Sequence, residues 1–166
     1  MKPTPLLPAL LTLLALTPTA RADGPLMPLR VPPAYTQECG ACHTAYPPAL
    51  LPARSWKRVM GGLEQHYGSD ATLDPKTLQQ LDGWLQQHAG TSRRAAEEPP
   101  QDRITRSAWF EREHRKIDAA VWKLPSVKSA AQCAACHGDA DQGRFDERAL
   151  RLPAGLSAGQ RRAWND

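Results

Sequence analysis

"CGACH" at residues 39–43 and "CAACH" at residues 133–137 together hold all four cysteines of the chain. In an exported protein an even cysteine count usually means disulfides. Two C-x-x-C halves are also the raw material of a four-cysteine zinc site. Neither reading accounts for the histidine that closes each pair. Histidine makes up only 5 of 166 residues. Two such placements have a chance of about 0.001 on this composition. The C-x-x-C-H spacing does have a mechanism. Two thiols on one turn form thioethers with the two vinyl groups of a haem, and the next residue sets its imidazole under the iron. The chain is therefore read as carrying two covalently bound haem c groups. Cys39, Cys42, Cys133 and Cys136 attach them, and His43 and His137 are the proximal iron ligands.

The rest of the sequence agrees with an exported cofactor protein. It opens "MKPTPLLPALLTLLALTPTARADG". Lys2 is a positive n-region, Leu6 to Leu16 an apolar stretch, and Ala20-Arg21-Ala22 a small-x-small cleavage pattern. The apolar stretch falls short of the roughly 20 residues that span a bilayer. Residues 1–22 are read as a cleaved signal peptide, and the mature chain as a periplasmic protein that spans no membrane. Removing them leaves 144 residues with 19 basic and 17 acidic groups, a formal charge of +2. So small a charge does not argue for nucleic acid or an anionic membrane surface. The chain has 16 prolines and only 41% hydrophobic residues. Halves of this size and composition are marginal without a staple. A haem, as a large apolar disc, gives each half a centre around which short helices pack.

What fills the sixth coordination position of each iron decides the function. A second strong ligand means electron transfer alone, whereas an open position means ligand binding or peroxide chemistry. The remaining histidines are His66, His88 and His114; Met27 and Met60 are the methionines of the mature chain. "SWKRVMGGLEQHYG" (55–68) reads as a helix with Ser55 as N-cap, Gly68 after its end, and Val59, Leu63 and His66 on one side. "LDPKTLQQLDGWLQQHAG" (73–90) reads as a second helix, with Asp74 as N-cap, Pro75 at the first helical position and a stop at Gly90. Leu78, Leu81, Leu85 and His88 share its face. Periodicity does not choose between His66 and His88, though a histidine in a last turn also suits the helix dipole. Met60 is a third candidate, with core packing as its ordinary role. In the C-terminal half, "WFEREHRKIDAAVW" (109–122) reads as a helix whose apolar stripe is Phe110, His114, Ile117 and Val121. No methionine lies nearby, and His114 is the candidate for the second iron.

Between the halves, "AGTSRRAAEEPPQD" (89–102) has linker composition. The expected organisation is an N-terminal haem domain over residues 23–95 and a C-terminal one over residues 96–166. Asp139 and Asp141 lack the rest of a calcium-loop pattern and are read as solvated turn acids.

Four segments together, "ECGACHTAYPPALLPARSW", "GLEQHYGSDATLD", "RITRSAWFEREH" and "AQCAACHGDADQGRFDERALRLP", resemble the periplasmic dihaem cytochrome c family. The resemblance implies a mainly α fold with two small haem-centred domains. The N-terminal one would be like a class I cytochrome c, and the C-terminal one irregular and helical. It also implies bis-histidine ligation, His43 with His66 and His137 with His114, and leaves His88 without a role. The partners it implies are an oxygen-binding monohaem cytochrome c and a membrane cytochrome b. On this reading the protein is no enzyme. It relays single electrons from a low-potential donor to a haem-protein acceptor. A peroxidase-like or ligand-binding dihaem protein is the alternative, and it requires one iron to be open. The four cysteines generate the first expected outcome. The intact mass should equal the 144-residue chain plus two haems, neither leaving in acidic acetone. A mass showing disulfides or zinc would overturn the reading.

Overall fold

A computed structural model describes residues 26–164. The signal peptide expected over residues 1–22 lies outside the described residues. Among the described residues the structure is helical, with short α-helices joined by one to four 3-10 turns and no strand beyond two isolated bridges, His66–Ser69 and His137–Leu150. The α-helices are α1 (Pro33–Gly40), α2 (Ala53–Met60), α3 (Pro75–His88), α4 (Ala108–Glu113) and α5 (Ala158–Ala163).

The longest, α3, starts as the sequence dictates. Pro75 occupies the first helical position, and one Asp74 carboxylate oxygen accepts from the Lys76 and Thr77 amides at 3.0 and 3.1 Å. Its Leu81 and Leu85 are buried with Tyr35 of α1, Trp56 and Met60 of α2, Leu50, Leu51 and Ile104. The Trp56 indole donates to the Pro48 carbonyl at 2.7 Å, so its one polar atom is satisfied inside this cluster. A second, smaller cluster gathers Val121, Val127 and Leu156, with Ile117, Trp122 and Trp164 against it.

Two helices are shorter than their periodicity predicts. α2 has Pro52, not Ser55, as its N-cap, and Ser55 is buried within it. It stops at Gly61-Gly62, where the Gly61 amide returns to the Lys57 carbonyl. His66 therefore stands after a separate 3-10 turn, Leu63–Gln65, and not on the α2 face. The expected helix over 109–122 ends at Glu113. Its start is sound, since the Ser107 hydroxyl accepts from the Phe110 amide at 3.1 Å. At the other end the Phe110 carbonyl takes both the His114 amide, at 3.0 Å, and the His114 Nδ1, at 2.8 Å. The Asp118 carboxylate then takes the Ala120 amide at 2.7 Å, an alternative to helical bonding.

The segment of linker composition is bound down along its length. The Gly90 amide donates to the Leu51 carbonyl at 2.8 Å, and a Cβ at Gly90 would collide with the Ala49 carbonyl and the Ala95 methyl. Glu98 pairs with Arg54 at 2.7 Å and Arg58 at 2.5 Å, and Asp102 pairs with Arg58 at 2.6 Å. Residues 90–102 thus form a strap over α2. The Arg58 hydrogen bond holds the Asp102 carboxyl below the ordinary carboxylate range. A depressed folded value means the contribution is present above the unfolded carboxylate value and lost as pH falls through the folded one. Arg58→Ala should lower Tm at neutral pH, and the gap to the parent should close on acidification. A gap independent of pH would show that the ion pairs do not hold the strap.

Candidate haem sites

Each attachment motif lies on a tight turn. Cys39 falls in the last turn of α1, with Cys42 and His43 just beyond it. Cys133 opens the 3-10 turn Cys133–Ala135, and the His137 amide closes back on the Cys133 carbonyl at 2.8 Å. No disulfide joins any of the four cysteines. Burial pushes Cys39 and Cys133 up to about 11, and Cys136 upward as well. Among the described residues no three of His, Cys, Asp and Glu gather around a metal-sized point.

Four of the five histidines face one another in two pairs. The rings of His43 and His66 lie 6.2 Å apart, centre to centre, with planes 25° from parallel. Those of His114 and His137 lie 6.1 Å apart, with planes at 79°. Two imidazoles on opposite sides of one iron, with bonds of about 2 Å, have ring centres about 6 Å apart. Both gaps fit that arrangement. His88 instead packs on Trp84 at 5.5 Å, and Met60 lies in the buried core.

The protonation states suit metal ligation too. His43 Nδ1 donates to the Thr44 carbonyl at 2.7 Å, and His114 Nδ1 to the Phe110 carbonyl. A donor at Nδ1 leaves the Nε2 lone pair for a metal. His137 Nδ1 is buried without a hydrogen-bond partner. Burial, then the neighbouring His43 and Arg103, lower the pKa of His66. Burial and His114 lower that of His137, with Asp146 opposing. Neutral imidazole, the form that ligates, is favoured at both.

Around His114 and His137 opens a cavity of about 610 Å³, with Cys133 and Cys136 in its wall. Its apolar lining includes Phe110, Trp122, Phe145 and Leu150. Phe110 stacks on His114 at 4.0 Å, and Phe145 meets His137 edge-on at 5.4 Å. Phe145, Asp146, Glu147 and Leu150 place the segment after the second motif on the cavity wall. Asp139 pairs with Arg144 at 3.1 Å, as a surface turn acid does.

The two motifs also touch one another. Gln132 Nε2 donates to the Cys42 carbonyl at 2.9 Å, and the Tyr46 hydroxyl to the Ala131 carbonyl at 3.1 Å. The Ala134 amide reaches the Thr44 hydroxyl at 3.4 Å. The Tyr46 ring stacks on His43 at 4.8 Å, and the Tyr35 hydroxyl donates to the Tyr46 carbonyl. Sequence reasoning did not single out Tyr46 or Gln132. Each lies within three residues of a motif, and that proximity was the available signal.

A helical chain with two C-x-x-C-H turns and two facing histidine pairs defines a dihaem c-type cytochrome. The comparisons agree. The family model described as "Dihaem cytochrome c" matches residues 35–145. The dihaem cytochrome c of Shewanella baltica OS155 is 38% identical with a TM-score of 0.64, the match covering 75% of this chain and 96% of that one. That of Rhodobacter sphaeroides is 38% identical with a TM-score of 0.60, covering 70% and 98%. No curated protein matches the chain. The chain belongs to the dihaem cytochrome c family and carries two covalently attached haem c groups.

The Tyr46 bridge carries an expected outcome of its own. Tyr46→Phe keeps the ring on His43 and removes the hydrogen bond to Ala131. It should cost about 0.5–1.5 kcal/mol in denaturant unfolding of the haem-loaded protein. An unchanged midpoint would show that this contact does not hold the motifs together.

Proposed function

We propose that the protein is a periplasmic electron carrier whose two irons are both closed by histidine. His43 and His66 ligate the N-terminal iron, and His137 and His114 the C-terminal one. The observation that carries this reading is the pair of 6.2 and 6.1 Å gaps between facing imidazoles. Bound there, each haem iron takes up and releases one electron. The four imidazoles exclude exogenous ligands from the irons, so the chain performs no chemistry on a substrate. Imidazole in place of a thioether also keeps the potential low, because methionine ligation raises it. The direction is then from a low-potential donor to a haem-protein acceptor. A membrane cytochrome b and an oxygen-binding monohaem cytochrome c are the partner classes that the family resemblance implies. Among the described residues no helix is long and apolar enough to cross a membrane.

Carbon monoxide tests the closed irons, since only an accessible ferrous iron shifts its Soret band on binding it. The reduced parent should not respond. His66→Ala and His114→Ala should each keep both haems attached, turn partly high-spin and bind carbon monoxide at one iron. His88→Ala should behave as the parent. The ferric protein should also show two different low-spin electron paramagnetic resonance signals. The near-parallel pair gives an ordinary rhombic signal, and the near-perpendicular pair a strongly anisotropic one. A parent that binds carbon monoxide, or a His114→Ala variant that stays fully low-spin, would overturn the assignment.

A further inference from the structure

The N-terminal histidine pair ends in a cation. Tyr46 lies on His43, His43 faces His66, and His66 meets the Tyr67 ring at 4.8 Å. The Arg103 guanidinium then lies over Tyr67, 4.0 Å from its centroid. Tyr67 is fixed for this contact. Its backbone is in the left-handed region at φ 53°, and its hydroxyl donates to the Gln101 carbonyl at 2.9 Å. Arg54, Arg58, Arg112 and Arg144 each pair with a carboxylate, but Arg103 pairs with none among the described residues. It is also only partly exposed. Asp102 acts on the same tyrosine, but its carboxylate is paired with Arg58, and the Arg103 charge reaches His66, whose pKa it helps to lower.

The C-terminal pair sits among charges of both signs. Those lining its cavity are Glu113, Asp146, Glu147 and Arg94, and Glu113 is paired with Arg112 at 2.9 Å. Arg94 stacks on Trp109, 4.9 Å from the ring centre.

We infer that Arg103 raises the reduction potential of the N-terminal centre above that of the C-terminal one, and so gives electron flow a direction, in at the C-terminal centre and out at the N-terminal one. The inference rests on the ligand assignment above. Its physics is elementary. Reducing a ferric iron between two neutral imidazoles removes one positive charge. A fixed cation nearby favours the state with less positive charge, whereas charges of both signs largely offset one another. Tyr67 acts as the spacer that keeps the guanidinium beside His66 without ligating anything itself.

The test is a redox titration monitored by electron paramagnetic resonance on the haem-loaded parent, Arg103→Gln and Arg103→Lys. The rhombic and strongly anisotropic signals report the N-terminal and C-terminal centres separately. In the parent, the rhombic signal should disappear at the higher potential. Arg103→Gln should lower that midpoint toward the other and leave the anisotropic midpoint in place. Arg103→Lys should restore most of the difference, because it keeps the charge. The inference is overturned if the rhombic centre is the lower one, or if Arg103→Gln moves neither midpoint or moves both equally. It is also overturned if Arg103→Lys falls as far as Arg103→Gln, which would make the effect one of packing. A parent without two low-spin signals would defeat the ligand assignment instead. The optical titration then decides the charge effect, which survives only if one wave falls in Arg103→Gln and returns in Arg103→Lys.

Discussion

The two attachment turns are hydrogen-bonded to each other, and the rest of the architecture follows from that contact. Gln132 to Cys42, Tyr46 to Ala131 and Ala134 to Thr44 join positions some 85 to 90 residues apart in the chain. Once they are joined, the two cysteine pairs become neighbours. The histidine that faces each motif must then arrive from elsewhere. His66 arrives on a turn released from α2 by Gly61-Gly62, and His114 at the end of a short helix whose Phe110 carbonyl holds both its amide and its imidazole. The shortness of these helices is part of the site. A continuous α2 through residue 66 would set His66 on the helix face instead of on its own turn.

The apolar clusters show why the cofactors belong to the fold as much as to the function. The N-terminal cluster is built on one helix of useful length, α3, and the C-terminal cluster has only three fully buried aliphatic residues. Beside the latter lies the cavity ringed by Phe110, Trp122, Phe145 and Leu150. Apolar walls of that kind are stabilising only when something apolar fills them. The haem is the missing part of the core, and the thioethers keep it there.

What could be read from the sequence was what depends on neighbours in the chain. The motifs, their cysteines and the N-terminus of α3 are local, and Asp74 and Pro75 do what their chemistry requires. Apolar periodicity overstates the lengths of α2 and α4, because it continues past Gly61 and past Glu113 while the helical backbone does not. Pattern does not separate His66 from His88, since each shares an apolar face at helical spacing, His66 with Val59 and Leu63 and His88 with Leu81 and Leu85. They separate in space: one ring faces His43, the other packs on Trp84. Tyr46, Gln132 and Arg103 were not legible, because their partners are brought near only by the tertiary fold.

The strap across α2 has a consequence for how the molecule divides. Its composition is that of a tether, yet Gly90 is locked against Leu51 and Glu98 and Asp102 against Arg58. Ile104, from beyond the strap, is buried in the N-terminal cluster, and Trp109 packs against it. Severing the chain between Ala95 and Ala96 would strip that cluster of part of its wall and strand two aromatic or aliphatic surfaces in water. Apolar surface from both sides of that point is thus shared in one cluster, and insertions are tolerated better at free turns than along this strap.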